Sequence, residues 1–200
     1  MFVDPEVVVL FEGYSRKFQD VLQANCTCTL IKAQVNIIVD TMTAWDGERI
    51  KMALKEHDLT CNDIKFVICT HGHSDHIGCN YLFPMAQHLV GYNISQRDSY
   101  KEFDFNSGSP YEICQGIKVI GTPGHTMQDV SVIVSTVSRG IIAITGDLFE
   151  NQRDIRNPQI WKDAGSDNEE LQEKHRKEIL RFADYIVPGH GPMFKVSECI

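Results

Sequence analysis

The chain has 200 residues, 42% of them hydrophobic, and a formal net charge of −8. That length and apolar content suit one globular domain spanning 1–200, and no apolar run reaches the roughly 20 residues of a membrane span. The acidic balance argues against a broad nucleic-acid-binding face, which carries net positive charge, but leaves room for a nuclease whose metal ions supply that charge locally.

Residues 7–11 read as a first strand, and 28–33 and 36–40 as two more, with Ala33-Gln34-Val35 as their turn. A helix is expected from Trp45-Asp46, Asp46 being its N-cap and Trp45 packing on Ile50 as a hydrophobic staple. Ile50, Ala53, Leu54 and His57 share one face of it, so His57 is a helix-end residue near carbonyl dipoles. Phe66-Val67-Ile68-Cys69 is a buried strand. Residues 87–92 form another, in which His88 has no ligand partners nearby. The polar run 92–110, with Gly108 and Pro110, reads as a loop near the mouth of a site. Residues 111–114 and 117–120 make a hairpin around Gln115-Gly116, and 130–135 and 140–145 are further strands. The irregular run 150–166 is locally basic through Arg153, Arg156 and Lys162. Residues 169–182 form a helix with Glu170/Lys174 and Glu173/Lys177 pairs, and with Leu171, His175, Ile179 and Phe182 inward. Residues 185–187 are the last strand.

The seven cysteines, Cys26, Cys28, Cys61, Cys69, Cys79, Cys114 and Cys199, fall into no paired framework. Cys26-Thr27-Cys28 lacks the spacing of a zinc knuckle or a redox pair. This usage fits reduced thiols. The N-terminal Met1-Phe2-Val3-Asp4-Pro5-Glu6 places acids where a signal peptide needs bases. A cytoplasmic and/or nuclear protein is expected, with no membrane partner.

One stretch carries the chemistry: Thr70-His71-Gly72-His73-Ser74-Asp75-His76. It begins where the 66–69 strand ends. In extended backbone His71 and His73 point the same way. Ser74 reads as a helix N-cap, turning Asp75 and His76 to another side. As packing, these side chains would each need a partner against desolvation. As metal ligands they form a nitrogen and oxygen donor set.

His71-x-His73-x-Asp75-His76 resembles the signature of the metallo-β-lactamase superfamily. Similar family contexts surround His125 in Thr122-Pro123-Gly124-His125-Thr126, Asp147 in Thr145-Gly146-Asp147, and His190 in Val187-Pro188-Gly189-His190-Gly191-Pro192. The resemblance implies a four-layer αβ/βα sandwich of the α/β class. It implies one metal on His71, His73 and His125, a second on Asp75, His76 and His190, and Asp147 bridging. Zinc is the first choice, and these donors also accept iron or manganese. Asp40 corresponds to a residue that supports the metal site from behind.

The activity so implied is hydrolysis by a metal-bridging hydroxide, with Asp75 and Asp147 as the catalytic carboxylates. Within the superfamily the wider text resembles a branch linked to endonucleolytic processing of histone pre-messenger RNA 3′ ends, so a phosphodiesterase or endoribonuclease is expected. Arg153, Arg156 and Lys162 are then the local candidates for phosphate binding. The resemblance also allows a homodimer. Other branches set the alternatives: a thioesterase or other small-molecule hydrolase of the glyoxalase II type, taking a small anionic or ester substrate; a mono-iron sulfur dioxygenase using His71, His125 and Asp147; and a metal-binding module without turnover.

Overall fold

The computed structural model of the chain describes residues 3–199. The first half runs β1 (Glu6–Phe11), β2 (Tyr14–Phe18), β3 (Val21–Asn25), β4 (Cys28–Lys32), β5 (Asn36–Val39), α1 (Gly47–Glu56), β6 (Ile64–Cys69), α2 (Ser74–Ile77), β7 (Gln87–Val90), β8 (Asn93–Gln96) and β9 (Ser99–Lys101). The second half runs β10 (Tyr111–Cys114), β11 (Ile117–Gly121), β12 (Val130–Thr136), β13 (Gly140–Gly146), α3 (Gln159–Ala164), α4 (Glu169–Phe182), β14 (Tyr185–Pro188) and β15 (Phe194–Lys195). Two mixed sheets result, ordered β1-β4-β5-β6-β7-β8-β9 and β10-β11-β12-β13-β14-β15, with β2 and β3 as a separate two-stranded ribbon.

Period-two alternation decides the layers. Ile37, Val39 and Ile68 of the first sheet meet Val132, Val134, Ile142 and Ile144 of the second in one core between the sheets. The residues between them face the other way. Ile38, Val67 and Cys69 pack with Ile50 and Leu54 of α1, and Ile133, Ala143 and Ile186 pack with Ile179 of α4. Three cores between helix, sheet, sheet and helix make the expected αβ/βα sandwich. A strand buried on both faces reads as a continuous apolar run, which is why 37–39, 66–69 and 130–134 were legible.

Several local expectations are corrected. The β2–β3 ribbon was not anticipated, because its side chains are mostly exposed and carry little apolar alternation. Residues 92–110 are not one loop: β8 and β9 extend the edge of the first sheet there. The preceding strand stops at Val90, since Gly91 turns the chain at φ 51°. Trp45 is 90% exposed and packs as no staple. Asp46 does stand at the N-cap of α1, but its carboxylate accepts from Thr43 N, Thr43 Oγ1, Asn25 Nδ2 and the Arg49 side chain, and from no backbone N–H of the helix. Ser74 is the first residue of α2, with His73 at the N-cap. In α4 the buried residues are Gln172, Arg176 and Ile179, while Phe182 is exposed. Lys177 pairs with Glu173 as expected, but Lys174 pairs with Glu178 rather than Glu170. No helix among the described residues is long and apolar enough to cross a membrane.

Candidate metal centre

Every group of the centre leaves the end of a strand on the same edge of the sandwich. β6 ends at Cys69 and runs directly into His71 and His73. The following turn of α2 carries Asp75 and His76. His125 follows β11, Asp147 follows β13 and His190 follows β14. Two glycines permit the approach. Gly146 turns at φ 52° against Thr70, and a Cβ on Gly189 would collide with the Asp147 carboxylate.

The donor atoms converge. His71 Nε2 and His125 Nε2 lie 2.8 and 3.1 Å from His73 Nδ1. Asp147 Oδ2 is 3.7 Å from His71 Nε2 and 3.4 Å from His125 Nε2. On the other side, His76 Nε2 and His190 Nε2 each lie 3.2 Å from an Asp147 oxygen, and Asp75 Oδ2 is 4.0 and 3.9 Å from those nitrogens. One ligand atom each from His71, His73, His125 and Asp147 falls within 4.8 Å of all the others, and so do those of Asp75, His76 and His190. Asp147 therefore touches both groups.

Partners behind the imidazoles fix which nitrogen faces the centre. His71 Nδ1 lies 3.2 Å from Thr70 Oγ1. His76 Nδ1 meets Asp40 Oδ2 at 3.0 Å. His125 Nδ1 donates to the Gly165 carbonyl at 2.8 Å, and His190 Nδ1 to the Asn25 carbonyl at 3.0 Å. A donated Nδ1 proton leaves Nε2 with its lone pair aimed inward, as a metal ligand requires. Asp40 sits at the end of β5 in left-handed backbone, φ 57°, and its carboxylate also accepts from Thr70 N at 2.8 Å. That conformation is uncommon for a residue other than glycine, though Asp tolerates it better than most.

The C-terminal ligand turns are held by α4. Gln172 Nε2 donates to the Asp147 carbonyl at 3.0 Å, and Arg176 Nη1 to the Leu148 carbonyl at 2.6 Å. Arg176 also forms a buried ion pair with Asp154 at 2.7 Å. His175 Nδ1 donates to the Pro123 carbonyl at 2.7 Å, and Asn168 N to that of Gly124 at 2.9 Å. His175 thus fastens the His125 turn from behind. His88 Nε2 donates to the Phe83 carbonyl at 2.9 Å, and His57 caps the end of α1.

Charge is distributed unevenly over this cluster. Burial holds His71 and His73 below the usual imidazole range, and neighbouring imidazoles add to it. Burial acts to lower His76 and His190 too, but Asp147 outweighs it. His76 is held well above its usual range, with help from Asp40, and His190 is pushed up to about 9. Burial would raise Asp147, yet His190, His76 and His71 hold it well below the carboxylate range. Despite this, His76 Nε2 and Asp147 Oδ1 are buried without a hydrogen-bond partner. Buried polar atoms left so are costly, and cations between them would satisfy both. The donor set therefore fits divalent metal.

Two cavities flank the centre. One of about 410 Å³ opens beside His71 and His73, lined by Val90, Asn93, Thr126, Met127 and Gln128 among others. The second, about 400 Å³, is lined by Ser15, Lys17 and Leu22 of the ribbon, and by Glu150, Arg153 and Asp163. Of the expected basic residues only Arg153 reaches it. Arg156 Nε donates to the Cys199 carbonyl, and Lys162 pairs with Glu169 at 2.8 Å. Lys17 and Glu150 were missed. Lys17 lies far from the motifs in sequence, and Glu150 carried no signal beyond standing three residues after Asp147.

Fold and donor geometry together define a metallo-hydrolase, and the chain belongs to the metallo-β-lactamase superfamily, whose family model matches residues 22–102. It is similar to metallo-β-lactamase domain-containing protein 1 of Xenopus laevis, at 40% identity over 193 residues covering 95% of this chain and 81% of that protein. Among solved structures it resembles a putative metallo-β-lactamase of Thermotoga maritima, with a TM-score of 0.70, 22% identity and coverage of 96% of this chain and 99% of that one. It also resembles AidC, a dizinc quorum-quenching lactonase in complex with a homoserine product, with a TM-score of 0.65, 19% identity and coverage of 86% and 74%.

Proposed function

We propose that the chain hydrolyses a phosphodiester of RNA at a two-metal centre, preferably zinc. In this reading His71, His73 and His125 hold one ion, Asp75, His76 and His190 the other, and Asp147 both. Two divalent ions so held would lower the pKa of a bound water to about 7 and would polarise the bond under attack. Asp40, Thr70 and the Gly165 and Asn25 carbonyls orient the imidazoles. Asp75 has the most exposed side chain of the carboxylates in the set, at 18% against 5% for Asp147. In this reading it takes the proton from the attacking water.

The observation favouring an anionic substrate is the second cavity. Lys17 and Arg153 line it beside Glu150, and among the described residues neither is in an ion pair. Phosphates on this side would meet Lys17 and Arg153, set beside the acidic Glu150 and Asp163, in a chain of net charge −8. A small-ester reading rests on the first cavity, where Val90 and the half-exposed Met127 suit an acyl chain.

Cleavage of a short RNA and of a neutral lactone by metal-loaded protein, against salt concentration, separates the two. The RNA reading expects Lys17→Ala/Arg153→Ala to weaken RNA cleavage and lower its salt slope by about 1 per lost phosphate contact, leaving the lactone unaffected. Rapid lactone or thioester hydrolysis with no RNA cleavage by the wild type overturns it.

A further inference from the structure

Glu150 is left over by the ligand set assigned above. Its main chain is fixed from both sides: its N–H donates to Asp154 Oδ2 at 2.7 Å, and its carbonyl accepts from His190 N at 2.8 Å. The residue is only 2% exposed. Yet among the described residues its carboxylate makes no hydrogen bond and no ion pair. Of the nearby guanidinium groups, Arg176 is engaged with Asp154, and Arg153 donates its Nε to Asn151 and makes no ion pair with Glu150. A carboxyl group so buried is either protonated or set against a cation, and the position of this one favours the cation. Ligand atoms of Glu150, Asp147 and His190 lie within 4.8 Å of one another, all three residues being buried. Asp147 Oδ1 itself makes no hydrogen bond, its near neighbour being His76 Nε2 at 3.2 Å.

We infer that Glu150 is a further carboxylate ligand on the His190 side of the centre. This rests on the metallo-hydrolase reading and deepens it. The two sides then differ in chemistry. His71, His73 and His125 offer three nitrogens to one ion, with Asp147 shared. Asp75, Glu150 and Asp147 bring carboxylate oxygen to the other, beside His76 and His190. Imidazole-rich sites suit zinc, whereas carboxylate-rich sites suit harder cations such as Mn²⁺. With one equivalent of zinc on the imidazole-rich side, the Glu150 side should accordingly take up Mn²⁺.

The test is metal binding, read without substrate. Wild type and Glu150→Gln are loaded with one equivalent of Zn²⁺ and then titrated with Mn²⁺, and ions per chain are counted by elemental analysis, with electron paramagnetic resonance reporting bound Mn²⁺. The wild type is expected to hold one zinc and one manganese. Glu150→Gln keeps the size of the side chain and should retain the first ion unchanged while losing at least tenfold in Mn²⁺ affinity. Glu150→Asp, which keeps the charge but shortens the reach, should also lose Mn²⁺ affinity, and serves if Gln does not fold. Unchanged Mn²⁺ affinity in the folded variants overturns the inference alone, including when RNA or ester turnover falls, since Glu150 would then touch substrate and not metal. A wild type that binds no metal overturns the metallo-hydrolase reading, and the inference with it.

Discussion

The two halves of the chain furnish their shares of the centre by opposite means. His71, His73, Asp75 and His76 come from one strand end and one helical turn. Behind them stands a buried charge, Asp40, on His76 Nδ1. His125, Asp147 and His190 come from separate turns, braced by neutral carbonyls and by the buried polar face of α4. A local motif keeps its geometry through short-range backbone. A scattered one keeps it only while the fold is intact, so its geometry and the stability of the protein are coupled. Perturbing the first half should change metal affinity with little change in stability, and perturbing the second should change both.

Asp147→Ala attacks the one group common to both halves and should have the largest effect, loss of both ions together with activity. Elemental analysis checks it, and a variant retaining two tightly held ions would dissolve the link between the halves. Arg176→Met comes next. It leaves Asp154 buried without its partner and should cost about 3–5 kcal/mol by urea denaturation, whereas Arg176→Met/Asp154→Leu should recover much of this. Asp40→Asn, in the first half, keeps a residue that tolerates positive φ but removes the charge behind His76. Metal affinity should fall roughly 10–100-fold while the metal-free protein melts close to wild type. Equal stability losses for Asp40→Asn and Arg176→Met would erase the distinction.

A smaller effect comes from pH. His190 keeps its proton up to about 9, and His76 is also held high, whereas His71 and His73 are already neutral near pH 7. Ligation requires the neutral imidazole. Metal affinity should therefore rise as pH increases through 7 towards 9, with proton release on the His76 and His190 side. Calorimetric titration in buffers of different ionisation enthalpy measures it, and a flat profile would contradict the charge difference between the sides. Smallest of all, His57→Ala and His88→Ala should leave metal content unchanged. His175→Ala should do so too, at about 1 kcal/mol of stability for its bond to the Pro123 carbonyl.

Much of this was legible in the residues. The paired spacing of His71 and His73 and the Asp75-His76 step mark donors that packing could not satisfy, the resemblance to the family added His125, Asp147 and His190, and strands buried on both faces announce themselves as apolar runs. The four layers were implied by the resemblance to the family, with which the alternation of strands and helices agreed. The tertiary structure alone decided the rest. Trp45 stays in solvent because the turn before α1 is closed by Asp46, not by an apolar staple. The inward face of α4 is Gln172 and Arg176 because it must bond the carbonyls of the Asp147 turn, a demand no helical periodicity reveals. Lys17 meets Arg153 and Glu150 only because an exposed ribbon folds back over the edge of the sheets. Residue type and spacing record what a side chain can bind, but which remote groups share a cavity depends on how the sheets stack, and that is set by the summed burial of three cores.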